Sequence, residues 1–268
     1  MNFIVAFKGE AQPIIERFNL IKSAEPVPYP LYENESHRLI LTGIGSTRAS
    51  EATSYLIEQI KNAPQAILNI GLAGHSTYEK GSCFIANRIS SDHDEAIYYP
   101  PLIIQSNTPS SGLKTCTEPE KEYPENIGYD MEAHSICSTA YQSITRELVQ
   151  FFKIVSDNPQ EPLTNFDPKS ATELIHPHIE TIDDLVTQLD ELALSLQLDP
   201  KLFEILEKTK SRYHFTFTQN HQFEKLLRHA RALDIDISEL VGSLESAENA
   251  TNTIDILRKK IAPLRILP

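Results

Sequence analysis

Through its first two-thirds the chain alternates short apolar runs with longer stretches of helical period. FIVAF (Phe3–Phe7), RLIL (Arg38–Leu41), AILNI (Ala66–Ile70) and FFKIV (Phe151–Val155) read as buried strands, and CFIANRI (Cys83–Ile89) as a further one. Pro101–Gln105 and Leu113–Cys116 are also strand-like. Between them, Gln12–Asn19, Arg48–Lys61 and Met131–Tyr141 carry apolar residues at helical spacing, and Ile179–Leu196 is a longer amphipathic helix that closes the alternating region. From Pro200 onward the pattern changes. Lys201–Lys210, His221–Leu233, Ile237–Ser246 and Thr251–Ile261 read as helices separated by turn residues, with Tyr213–Phe217 as the one strand-like stretch.

Strands alternating with helices, with glycines where strands end, predict an α/β fold whose ligand sites lie at the carboxyl edge of a central mixed sheet. The expected organisation is a catalytic domain over residues 1–198 and an all-helical appendage over 199–268. Charge agrees with that boundary: nearly all of the net charge of −13 falls in the first part, and the second is close to neutral. So acidic a body argues against nucleic acid or an acidic membrane as a partner. No apolar run reaches the roughly 18 residues of a membrane span. The N-terminal segment lacks a basic region and a cleavage site, so a cytoplasmic protein is expected. Three well-separated cysteines, Cys83, Cys116 and Cys137, show no metal-ligand spacing and read as free thiols.

Two glycine segments follow strands, TGIGSTRAS (42–50) and NIGLAGHS (69–76). Each is either a tight strand-to-helix turn or a loop whose backbone N–H groups approach a ligand. Neither is a dinucleotide fingerprint. Ala73 and Gly74 are the substrate-contact candidates of the second. Three acids stand near strand ends: Glu10 in KGEAQP, Glu132 in GYDMEAHS and Asp157 in VSDNP. Singly, each also has an ordinary structural role as a cap, a dipole partner or a surface acid.

The order IVAFKGEAQPII, LILTGIGSTRASEAT, ILNIGLAGHS with KGSCFIANRI, YDMEAHSIC and FKIVSDN resembles the nucleoside phosphorylase and nucleosidase superfamily over roughly residues 1–195. This group includes methylthioadenosine/S-adenosylhomocysteine nucleosidase and futalosine hydrolase. The resemblance implies a three-layer phosphorylase/hydrolase-like fold, a homodimer, a small-molecule nucleoside as substrate, and no metal or organic cofactor. It also implies roles that suit cleavage of an N-ribosidic bond through an oxocarbenium-like state. Asp157 would be the general acid toward the departing base, with Ser156 orienting it. Glu132 would bind ribose hydroxyls, Met131 would lie against the sugar, and Glu10 would activate water. Asp130 reads as a helix-start residue or one that supports the site from behind. Asn69 stands where the phosphorylases carry an arginine, and the N-terminal glycine–arginine phosphate motif is absent, so hydrolysis is expected. A phosphate-dependent phosphorylase and a nucleoside-binding protein with a decayed site stay open. Leu72 and His75 depart from the hydrolase pattern. The residue that stacks on the base is not placed, with Tyr98, Tyr99 and Tyr129 as candidates.

Overall fold

The computed structural model describes residues 1–60, 65–162, 168–196, 200–233 and 235–262. The chain divides into two compact units, Met1–Leu196 and Gln197–Pro268. The expected boundary residues Leu198 and Asp199, like the expected helix end at Lys61, lie outside the described residues.

The first unit follows the order β1 (Asn2–Val5), α1 (Lys8–Arg17), β2 (Ile21–Lys22), β3 (Leu31–Glu33), β4 (Arg38–Leu41), α2 (Ser46–Glu58), β5 (Ile67–His75), β6 (Cys83–Ser91), β7 (Ser110–Thr115), β8 (Gly128–Asp130), α3 (Ala133–Ala140), β9 (Val149–Asp157), α4 (Pro168–Ile175) and α5 (Ile179–Ser195). All nine strands belong to one mixed sheet. β1 lies parallel between β4 and β5, while β2 and β3 extend the edge antiparallel. β5 pairs parallel with β9 and antiparallel with β8. Because β9 also pairs with β6, and β7 joins β6 to β8, the strands β5, β8, β7, β6 and β9 close into a ring.

Alternation along the strands sends side chains to two cores. Phe3, Val5, Leu39, Leu68, Phe152 and Ile154 pack with residues of α1, α4 and α5, including Ile14, Ile175, Leu185 and Leu189. Ile4, Ile40, Ile67, Phe151 and Val155 pack with Ala49, Ala52 and Leu56 of α2 and with Ile136 and Cys137 of α3. Phe151 and Phe152 are fully buried on opposite faces. Truncating either to alanine is expected to cost about 3–5 kcal/mol.

Several expectations are corrected. NIGLAGHS does not turn into a helix, since β5 continues through it to His75, held on both sides by β8 and β9. Met131 and Glu132 do not open a helix. Residues 128–130 form β8, and α3 starts only at Ala133. Pro101–Gln105 forms no strand, consistent with two consecutive prolines that lack ladder donors. Glu10 sits within the first turn of α1, which begins four residues earlier than its apolar period indicated.

In the second unit the described residues form four helices: α6 (Pro200–Arg212), α7 (Phe217–Ala232), α8 (Ile237–Glu245) and α9 (Ala250–Ile261). Tyr213–Phe217 makes no strand; Thr216 caps α7 by accepting from the Gln219 N–H. Leu202, Phe223, Leu227, Leu240, Ile254 and Leu257 belong to a core of this unit's own.

Candidate active site

The local chain path of α1 positions the first acid. Glu10 is the third residue of the helix, and its carboxylate reaches back to the backbone N–H groups just ahead of it. Oε2 accepts from Ala6 N at 3.2 Å and Phe7 N at 3.4 Å, and Oε1 accepts from Leu72 N on β5 at 2.7 Å. Gly71 permits this approach, because a Cβ there would stand 3.1 Å from Oε1. Glu10 is 3% exposed, and burial pushes its carboxyl up to about 7. The Leu72 N–H and the Lys153 ammonium pull the other way without cancelling that effect.

The second acid comes from the connection between β8 and α3. Glu132 Oε1 accepts from Gly45 N at 2.7 Å, and Ser46 Oγ donates to the Met131 carbonyl at 3.3 Å. These bonds tie the GYDMEAHS segment to the start of α2. Gly45 has φ of 100°, a left-handed backbone that a side chain would strain, so the first glycine segment does need its glycine here. Burial, then the neighbouring Asp130 charge, pushes the Glu132 carboxyl up to about 7.

Between the two acids stands Lys153, 1% exposed in the middle of β9. Its ammonium lies 2.8 Å from Asp130 Oδ2. Burial opposes its charge, but Asp130, Glu132 and Glu10 together raise its pKa. Asp130 is held in turn by the Thr115 hydroxyl at 2.7 Å and the Ala133 N–H at 3.0 Å. Glu10, Glu132 and Lys153, with Ala6, Thr42 and Asn69, line a cavity of about 10 Å³, about the room one water needs.

The third acid lies further along β5. Register between β5 and β9 shifts at Ala73/Gly74, so that Ser156 is an extra residue and Asp157 stands opposite Gly74. Bulges of this kind re-aim side chains beside functional sites. Asp157 takes hydrogen bonds from the Ser156 hydroxyl on Oδ1 and from the Tyr123 phenol on Oδ2. Gly74 is required by close approach, since a Cβ would stand 2.7 Å from Asp157 Oδ2 and 2.9 Å from the Tyr123 ring. Glu10 meets β5 at Leu72 and Asp157 meets it at Gly74. Two residues of strand place the two contacts about 7 Å apart.

The sequence candidates thus fall into two neighbouring groups. Glu10 and Glu132 share the cavity, while Asp157, Ser156 and Gly74 cluster one step along the strand. Met131 is half-buried beside Glu132. Ala73 differs from expectation, for its side chain is buried in the apolar core and its backbone is paired with β9. His75 is a structural residue: Nδ1 accepts from Thr77 N and Tyr78 N, Nε2 meets Ser111 Oγ at 3.0 Å, and its ring stacks on Tyr78. Burial pushes its pKa down to about 4. Of the aromatic candidates, Tyr98 packs against His134 and Tyr141, Tyr129 ties its hydroxyl to Glu125, and Tyr99 is exposed. Tyr123 and Lys153 were not anticipated. A lysine at the centre of the apolar run FFKIV was the available signal for the second.

No family model matches the chain, and no curated protein matches it. Solved structures do. The apo 5'-methylthioadenosine nucleosidase of Arabidopsis thaliana superposes with a TM-score of 0.57 at 16% identity, over 70% of this chain and 94% of that one. The chain has the nucleosidase fold. The methylthioadenosine/S-adenosylhomocysteine nucleosidase of Helicobacter pylori, solved with butyl-thio-DADMe-Immucillin-A, matches with a TM-score of 0.57 at 13% identity, over 70% of this chain and 97% of that one. A futalosine hydrolase mutant from the same organism matches with a TM-score of 0.54 at 13% identity, over 70% and 98%. Among the described residues no helix is long and apolar enough to cross a membrane.

Proposed function

We propose that the protein is a nucleosidase that hydrolyses the N-ribosidic bond of a purine-type nucleoside or thionucleoside. The observation that carries this reading is the one-water cavity between Glu10, Glu132 and Lys153, set two residues along β5 from a third carboxylate, Asp157. Ionised Glu10 takes a proton from the water as its oxygen attacks the anomeric carbon. Glu132, when ionised, favours the cationic sugar of the transition state over the neutral ground state. Asp157 donates a proton to the departing base nitrogen, and Ser156 orients it. Met131 borders the sugar, and the β5 backbone at Gly74 borders the base. Both protons are reset from solvent after product leaves.

Phosphorolysis is disfavoured by charge. A phosphate dianion in the cavity would meet Glu10 and Glu132 beside a Lys153 ammonium already paired with Asp130. Arg48 is exposed on α2, folded over Gly43. Helices packing on both faces of the sheet support a three-layer arrangement. Exposed Ile97, Tyr99, Leu102 and Ile103 support a homodimer, and three free cysteines support a cytoplasmic setting.

The test is base release from methylthioadenosine, adenosine, inosine, S-adenosylhomocysteine and futalosine, with and without phosphate. Release without phosphate from at least one of them is expected. Release that requires phosphate would make the protein a phosphorylase, and tight binding without release would make it a binding protein.

A further inference from the structure

We infer that the Tyr123 phenol is a displaceable stand-in for the leaving base, holding Asp157 closed in the free protein until the base takes its place. This rests on the nucleosidase reading above. The contact itself is direct: the Tyr123 hydroxyl donates to Asp157 Oδ2, while Oδ1 takes the Ser156 hydroxyl. Asp157 is 7% exposed and Tyr123 8%, so the phenol both bonds and covers the carboxylate. A carboxyl group that receives two hydroxyl donors is held as an acceptor, whereas a general acid must donate. One donor therefore has to turn away before Asp157 can protonate a base. Ser156 is the neighbouring residue, and its hydroxyl rotates in place to accept instead. Even with its hydroxyl turned, the Tyr123 phenol stays in the place the base must take, because its ring lies beside Gly74, where a Cβ would stand 2.9 Å from it. Its backbone carries strain that a move would relieve. Tyr123 has φ of 48° and is one of two non-glycine residues among those described with a left-handed backbone, an uncommon state for a bulky side chain.

What surrounds the ring fits a swing and not a fixed strut. Tyr123 packs edge-on against Tyr129, with Cys116 and Ile127 beside it, in a small apolar cluster separate from both main cores. The Tyr129 hydroxyl pins the far end of the segment through Glu125, leaving Tyr123 on the side toward Asp157. A planar aromatic base entering between them exchanges the phenol–carboxylate bond for its own nitrogen–carboxylate bond, and the freed ring can lie against its face.

The experiment compares wild-type protein and Tyr123→Phe on the five-nucleoside panel. Phenylalanine keeps the ring and removes the competing donor. A KM about tenfold lower, with kcat within about threefold of wild type, is the expected result. Where the wild type does release base, an unchanged or higher KM in Tyr123→Phe overturns the inference and leaves the nucleosidase reading intact, as does a fall in kcat at unchanged KM, which would mark Tyr123 as an orienting residue. If neither protein releases base from any nucleoside, the reading fails and the inference with it. A second measurement uses the wild-type protein and guards against a misfolded variant. The hydrogen-bonded phenolic proton should give a downfield NMR signal that is absent in Tyr123→Phe and vanishes at saturating adenine. Persistence of that signal in an adenine-saturated sample overturns the inference.

Discussion

Replacing Lys153 by methionine is the most direct test of how the buried charges are balanced. Lys153 is 1% exposed and 2.8 Å from Asp130 Oδ2, with Glu10 and Glu132 also acting on its charge. Methionine preserves most of the volume but leaves Asp130 buried without its ammonium partner, supported by the Thr115 hydroxyl and the Ala133 N–H alone. Breaking a buried pair from one side costs about 3–5 kcal/mol, whereas removing both charges is close to neutral. In a unit of this size the single loss corresponds to a fall of about 10 °C in Tm. Lys153→Met combined with Asp130→Asn should recover most of the deficit. Asparagine keeps an oxygen for the Ala133 N–H and offers its amide to Thr115 Oγ1. The pH dependence has a definite sign. Glu10 and Glu132 have folded-state pKa values of about 7, raised from 4.5, so the folded state holds more protons than the unfolded state between those limits. Their contribution to stability is therefore present at low pH and is lost as pH rises through about 7. Removing the ammonium that pulls both values down raises them further, so the deficit of Lys153→Met should be larger at pH 8 than at pH 5.5. Urea midpoints of the single and double variants at both pH values measure this. Equal deficits at the two pH values, or a double variant no more stable than the single, would refute the electrostatic account.

Other expectations concern the chemistry. Asp157→Asn should lower base release by at least roughly 100-fold while leaving the unfolding free energy from urea titration within about 1 kcal/mol of wild type; a near-normal rate would remove Asp157 from the mechanism. Gly74→Ala places a methyl 2.7 Å from Asp157 Oδ2 and 2.9 Å from the Tyr123 ring, so turnover should fall at least tenfold without loss of far-ultraviolet circular dichroism. Because Glu10 must be ionised to accept a proton and its carboxyl stands at about 7, kcat/KM should rise with pH through that value. An acidic limb that stays near pH 4.5 would contradict the burial of that group.

The elements legible in the sequence were those whose period decides their burial. RLIL, AILNI and FFKIV carry nearly unbroken apolar runs because both faces of the inner sheet are covered, and Ile179–Leu196 shows one clean stripe. The strand character of NIGLAGHS was hidden, because two glycines and a polar histidine look like a turn. Pairing with β8 and β9 on either side overrides that local preference. Glu10 and Glu132 were visible through their motifs, and both lie on one cavity. Lys153 disappears into an apolar run, and although a supporting role is open to Asp130 in the sequence, nothing local announces its partner 23 positions away. Tyr123, a loop aromatic, gives no signal in the sequence of what it faces; its place depends on Gly74 and Asp157, which only the folded sheet brings beside it.

The closed ring of strands has a consequence for how this protein can change. Asn69, Gly71, Lys153 and Asp157 sit on β5 and β9, two strands that the ring locks in register, so none of these positions can drift without disturbing all its neighbours. The segment from Cys116 to Ile127 hangs between β7 and β8 and carries none of the three proposed reacting carboxylates. Inheritance can therefore act on the two parts separately. On the proposed reading, the ring holds Asp157 and the cavity-lining Lys153 in place, while exchanging the dozen residues that bear Tyr123 would alter which base is accepted and leave those groups where they stand.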